Sequence, residues 1–179
     1  VVAQEESLAV KLHVEQCSIT TRHPFVIARG STNGYKRAWV RLVDGDGQEG
    51  WGEADPSSFY GETLDTVLAA FERLSPHVPQ DPFELQATEA RWEQVVPKNW
   101  AARAALSAAL HDLVGKKLGQ PLWRLWGLDP KQTPVSSFTI GLDTPEKMRA
   151  KVREADAYPI LKIKLGTDRD EEILRTIRD

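Results

Sequence analysis

Hydrophobic and polar positions alternate strictly near the start of the chain, where Leu8, Val10, Leu12 and Val14 are interleaved with Lys11, His13 and Glu15. Successive side chains of a strand point to opposite faces, so this pattern predicts a strand with one buried face and His13 on the solvated one. Thr20 to Tyr35, rich in Thr, Ser, Gly and Asn, fits neither the strand nor the helix period and is expected to be a loop long enough to act as a lid. Ala38 to Val43 reads as the next strand, and the Asp44-Gly45-Asp46-Gly47 turn followed by Glu49 to Ala54 completes a three-stranded meander. The period then becomes helical. Within Glu62 to Leu74, Leu64, Val67, Leu68 and Phe71 form one stripe. Asp81-Pro82-Phe83-Glu84 carries helix-start chemistry with Asp81 as N-cap, and Leu85, Trp92 and Val96 continue one apolar face. An alanine-rich helix is predicted from Asn99 through Lys117, with Leu106, Leu110, Leu113 and Val114 directed at a core and stop chemistry at Gly119 and Pro121.

From about Pro130 the pattern changes. Val135 to Leu142 reads as a strand, Thr144-Pro145-Glu146 as the cap of a helix reaching about Ala157 with Met148, Val152 and Ala155 inward, and Pro159 to Gly166 as a second strand. A capped helix at Glu171 to Arg178 follows. Two strands joined by a helix over so short a span define a parallel βαβ unit with a right-handed crossover.

The second of these strands holds the candidate chemistry. Lys162 and Lys164 share one face, while Leu161, Ile163 and Leu165 share the other and suit packing beneath helices. The lysine face is then the inside of a sheet or barrel. Burial and a like charge nearby both disfavour the protonated amine, which is how a lysine becomes a general base near neutral pH. An edge strand with two solvated lysines fits the same spacing.

Composition narrows the partners. A net charge of −3 and a pI near 5.9 give no electrostatic reason to expect nucleic acid or an anionic membrane. Cys17 is the single cysteine, which excludes an intrachain disulfide and a CxxC metal site. No apolar run approaches 18 residues, and Val1 to Ser7 lack the signature of a signal peptide, so a cytoplasmic location is expected. The Asp44, Asp46, Gln48 spacing is no calcium loop, because Glu49 stands where an EF-hand needs Gly and Asp55 where it needs Glu. His111-Asp112 reads as a paired polar couple at a helix end, in preference to a catalytic dyad.

Taken in order, Gly50-Trp51-Gly52-Glu53-Ala54, His111-Asp112-Leu113-Val114-Gly115-Lys116, Gly119-Gln120-Pro121-Leu122, Phe138-Thr139-Ile140-Gly141 and Lys162-Ile163-Lys164 resemble the N-terminal part of the enolase superfamily. The resemblance lies in its muconate-lactonizing and mandelate racemase branch, and within it is strongest to dipeptide epimerases of the L-Ala-D/L-Glu type. It implies an α+β capping domain, a three-stranded meander plus a helical bundle, over residues 1–130. Residues 131–179 would be the first two β/α units of a (β/α)7β TIM-like barrel. It implies an isomerase in which Lys164 abstracts the proton α to a carboxylate, Lys162 depresses the pKa of that base and helps hold the enolate, and Mg2+ stabilises the enediolate. Pro24-Phe25 followed by Ala28-Arg29 matches the loop that presents an arginine, which implies that Arg29 binds a substrate carboxylate. Thr139 corresponds to a substrate contact, and Phe25 and Phe59 to residues that shape the pocket.

The same resemblance puts the metal ligands and the opposing base on later barrel strands, so no metal ligand is expected in this chain. Asp168, Asp170, Glu171 and Glu172 are expected at helix caps and the surface. The chain is accordingly expected to be the first half of a longer enzyme, inactive alone, whose full-length form is a homo-oligomer acting on a dipeptide or another small carboxylate. The alternatives are N-acylamino acid racemisation, o-succinylbenzoate synthesis or muconate lactonisation on the same scaffold, and a non-catalytic capping-domain fragment.

Overall fold

Strands β1 (Lys11–Ile27), β2 (Gly30–Val43) and β3 (Glu49–Ala54) form one sheet in the order β1-β2-β3. These elements belong to a computed structural model that describes residues 9–28 and 30–178. β2 and β3 are antiparallel, with Val40 opposite Gly52 and Leu42 opposite Gly50. Ala38, Val40, Leu42 and Ala54 are fully buried on one face. The turn between these two strands is fixed by Asp44, whose Oδ1 accepts from the backbone N–H of Asp46 at 3.0 Å and of Gln48 at 2.9 Å, while its other oxygen accepts from Lys117. Burial pushes the Asp44 carboxyl up, but the Lys117 ammonium and those N–H donors outweigh it and hold it below the usual range.

Helices α1 (Leu64–Leu74), α2 (Leu85–Val95) and α3 (Trp100–Lys117) cover that face, followed by the short α4 (Leu122–Leu125). α1 is started by Thr63 and Thr66, which cap each other's backbone N–H, and α3 by Asn99, whose side chain accepts from Ala102 N at 3.1 Å. Val67, Phe71, Trp92, Leu106, Leu110 and Leu113 join the sheet residues in one core, as the helical stripes require. α3 lies directly on β3. A Cβ on Gly50 or Gly52 would overlap the carbonyl oxygens of Ala109 and Ala105 respectively, so the two glycines and the alanines of α3 are what permit this approach. Asp112 then holds the strand edge, accepting from Trp51 N at 2.9 Å and from Lys116 Nζ at 2.6 Å, and Lys116 also donates to the carbonyl of Glu49 at 2.9 Å. Its role is structural.

Two expectations change. Thr20 to Tyr35 is not a loop: β1 continues to Ile27 and β2 begins at Gly30, so the stretch is the distal part of a long hairpin. A ribbon of two strands has no fully buried face there, and its polar side chains show no period. The helix expected to begin at Asp81 starts at Leu85 instead. Asp81 closes a turn of its own, accepting from Phe83 N through Oδ1 at 2.9 Å and from Glu84 N through its carbonyl at 3.2 Å.

The chain divides into two compact units, the first comprising residues up to Ile19 with Lys36–Pro130, the second Thr20–Tyr35 with residues from Lys131 on. The second contains β4 (Ser137–Ile140), α5 (Pro145–Glu154), β5 (Ile160–Ile163) and α6 (Asp170–Arg178). β4 and β5 are parallel neighbours, the strand pair of a βαβ unit. Both strands are shorter than the apolar runs that predict them, and Val135 is 63% exposed ahead of β4. Ile140, Leu142, Met148, Ala155 and Ile173 form this unit's core, with Val26, Val152, Leu161 and Ile163 packed on it. Leu165 lies past the end of β5 and is largely exposed.

Candidate active site

The pairing of β4 with β5 sets Thr139 opposite Lys162 and Ile140 opposite Ile163. Phe138, Ile140, Leu161 and Ile163 pack with α5 and α6 residues, so the alternate positions, Thr139 and Lys162, share the opposite face. Lys164 continues that face one step beyond β5, its backbone N donating to the carbonyl of Ile140 at 3.1 Å. Lys162 is exposed and Lys164 half-buried. Lys164 Nζ lies 5.8 Å from the centroid of the Phe25 ring, within cation–π range.

Phe25 is delivered by the distal hairpin, which is fixed to this unit at several points. Leu142 N donates to the carbonyl of Val26 at 3.0 Å. Gly141 has the same segment so close that a Cβ would stand 3.2 Å from the Val26 oxygen. His23 Nε2 meets Glu154 Oε2 at 2.8 Å, and this contact with the His23 ring holds the Glu154 carboxyl below its usual range. No sequence signal marks this pair, whose members are 131 positions apart.

The two loops that leave the strands are each tied by an aspartate. After β4, Asp143 accepts from Lys151 Nζ at 2.9 Å and from Thr144 N at 2.9 Å. Burial pushes its carboxyl up, and these donors, Lys151 foremost, hold it below the ordinary range. After β5, Asp170 accepts from Thr167 N at 2.9 Å and from Gly166 N, and these backbone donors hold its carboxyl down. Glu172 pairs with Arg169 and Glu171 with Arg175, so Asp170, Glu171 and Glu172 have the cap and surface contacts expected of them.

The second unit therefore brings Phe25, Thr139, Lys162 and Lys164 together. Phe59 belongs to the first unit, on a 3-10 turn at Ser58–Tyr60, where it is 78% exposed and packs edge-on against Tyr60 at 5.0 Å. Arg29 lies outside the described residues. Among the described residues no three His, Cys, Asp or Glu side chains gather as a metal site, so these residues do not by themselves fit a Mg2+ ion.

An antiparallel three-stranded sheet backed by helices and leading into β/α units is the arrangement of the N-terminal part of the enolase superfamily. The chain belongs to the mandelate racemase and muconate lactonizing enzyme family, and residues 10–127 match the family's N-terminal domain. It is 41% identical over 158 residues to an L-Ala-D/L-Glu epimerase of Bacteroides thetaiotaomicron, covering 88% of this chain and 41% of that protein. The dipeptide epimerase of Enterococcus faecalis, solved with Mg and L-Leu-L-Tyr, superposes with a TM-score of 0.84 at 30% identity over 95% of this chain and 50% of that one. The dipeptide epimerase of Methylococcus capsulatus, solved with Mg and L-Arg-D-Lys, gives 0.84 at 33% identity over 94% and 50%. The chain spans about half the length of the curated relatives it matches.

Proposed function

We propose that this chain contributes the capping domain and the proton-abstracting strand of a Mg2+-dependent dipeptide epimerase of the Ala-Glu type. The observation that carries the reading is the shared face of Thr139, Lys162 and Lys164, which lies opposite the aliphatic face packed with helices and is approached by Phe25 from the hairpin. Lys164 is the base for the proton α to the carboxylate. Lys162, beside it on the same face, balances the negative charge of the enolate. Thr139 contacts the substrate, Arg29 takes its carboxylate as a bidentate partner, and Phe25 and Phe59 limit the side chains admitted. The Mg2+ and the opposing base belong to strands beyond these residues, so the 179 residues alone turn over no substrate. The complete enzyme is a homo-oligomer.

The test is α-deuterium incorporation into L-Ala-L-Glu, read by proton NMR in D2O with Mg2+, with the C-terminal half of the B. thetaiotaomicron relative supplied to this chain. Exchange is expected with the wild-type chain and a loss of at least about a hundredfold with Lys164→Ala, the scale of general-base catalysis. Exchange undiminished in Lys164→Ala refutes the assignment.

A further inference from the structure

The hairpin segment from His23 to Ala28 meets the second unit at the ends of both strands. Past β4, Leu142 N donates to the Val26 carbonyl at 3.0 Å. Past β5, a Cβ on Gly166 would stand 3.1 Å from the Cβ of Ala28, and the Phe25 ring lies 5.8 Å from Lys164 Nζ. The contact of His23 with Glu154 at 2.8 Å is of another kind, because Glu154 is the last residue of α5, about 14 Å of helix rise from Pro145 where α5 begins. For its own helix Glu154 has the wrong sign. A carboxylate at a helix C-terminus opposes the macrodipole, and the rest of that turn carries Lys151 and Arg153, which suit it. What Glu154 contributes is therefore its contact with the hairpin.

We propose that Glu154 and His23 are positioning residues of the candidate active site: the pair sets where Phe25 stands against Lys164, and with it how tightly substrate is held. The backbone between them transmits the position. Pro24 separates His23 from Phe25, its ring fixes its own φ and keeps His23 out of the helical region, and Thr21 Oγ1 donates to the His23 carbonyl at 2.6 Å. A displacement of His23 is thus passed on to Phe25, with little freedom between them to absorb it. The other cations whose field reaches Glu154 do not replace His23: Lys151 is bonded to Asp143 at 2.9 Å, and Arg22 sits on the hairpin itself and pulls it the same way. Removing Glu154 therefore releases the hairpin from both His23 and Arg22. The effect on substrate rests on the epimerase reading above, whereas the placement of Phe25 does not.

Amide hydrogen exchange of this chain, read residue by residue by NMR, tests the placement. In Glu154→Ala the Leu142 N–H, which donates to Val26, is expected to exchange about fivefold faster, the upper end of what a half-exposed ion pair supplies. The Lys164 N–H, which donates to Ile140, and the amides of α5 are expected to keep their wild-type rates. The swap His23→Glu with Glu154→His rebuilds the pair with its members exchanged and is expected to return Leu142 to the wild-type rate. A Leu142 rate in Glu154→Ala within about twofold of wild type, a rise shared by Lys164 and α5, or a swap that fails to recover while its circular dichroism matches wild type, overturns the proposal. The effect on substrate is read with the C-terminal half of the B. thetaiotaomicron relative supplied, by α-deuterium incorporation into L-Ala-L-Glu. Glu154→Ala is expected to raise KM about fivefold and leave kcat within about twofold, since Lys164 stays in place beyond β5. A fall in kcat with KM unchanged overturns the positioning role. Absence of exchange with the wild-type chain refutes the epimerase reading alone, and the Leu142 rates then decide the placement of the hairpin.

Discussion

Substitution of Gly52 by alanine probes the packing on which the first unit is built. The new Cβ would overlap the carbonyl oxygen of Ala105, stand 2.9 Å from the carbonyl carbon of that residue and 3.1 Å from Ala109 N. All three atoms are backbone of α3, so no change of rotamer relieves the overlap and the helix must move outward by about 1 Å. A gap of that size forfeits a quarter to a half of each dispersion contact along the helix, whose Ala102, Leu106, Leu110 and Leu113 are fully buried. The cost is expected at the upper end of the overpacking range, about 3 kcal/mol, less a few tenths for the smaller backbone entropy of alanine in the unfolded chain. For a chain of this length that is a fall in Tm of about 6–10 °C. Thermal and urea melts followed by circular dichroism measure it. Gly47→Ala is the control: nothing lies within 4 Å of its added Cβ, and with φ at +79° it costs only backbone strain, about 1 kcal/mol. Because the obstacle is a carbonyl, Ala105→Gly should not rescue Gly52→Ala. A Gly52→Ala protein within about 0.5 kcal/mol of wild type, or one rescued by Ala105→Gly, refutes the account of how α3 sits on β3.

Asp44→Asn keeps the acceptor for the N–H groups of Asp46 and Gln48 but removes the charge facing Lys117, and should destabilise by about 1–3 kcal/mol at pH 7. Asp44 has a folded-state pKa below its ordinary 3.8, so its contribution is complete well above pH 3.8 and disappears as pH falls below that value. Urea melts should therefore show the difference between wild type and Asp44→Asn shrinking toward zero under acid, while the Asp143–Lys151 pair, shifted the same way, leaves a residual slope in both proteins. In the second unit, Met148→Ala should cost about 2–5 kcal/mol and raise amide exchange in β4, β5 and α5, since Met148 is buried at the centre of that core.

Helix faces were legible because a buried stripe repeats at the helical period: Val67 and Phe71 in α1, Trp92 in α2 and Met148 in α5, with Ala155 at its C-cap, all lie in cores. The face shared by Lys162 and Lys164 could be read for the same reason at period two, whereas the pairing that sets Thr139 opposite Lys162 is a tertiary fact. The hairpin from Thr20 to Tyr35 could not, because its strands are held by backbone pairing and by remote contacts such as Leu142 with Val26. Asp81 misled because the same side chain that caps a helix can close an isolated turn. That Gly50 and Gly52 meet the backbone of α3 is a tertiary fact. Arg29 lies outside the described residues, so its role stands on the sequence.

The hairpin formed by β1 and β2 roots in the first unit and ends in the second, and that division has a consequence for synthesis. His23 leaves the ribosome 131 residues before Glu154. At ordinary elongation rates the delay is on the order of ten seconds, long compared with the microseconds in which a hairpin closes. The three-stranded sheet and α1 to α3 can thus be complete while the hairpin's far end still waits for β4, α5 and β5. A released chain ending near residue 130 should be protease-resistant through the first core yet cleaved within Thr20 to Tyr35, and the released chain extended to Arg178 should lose that cut.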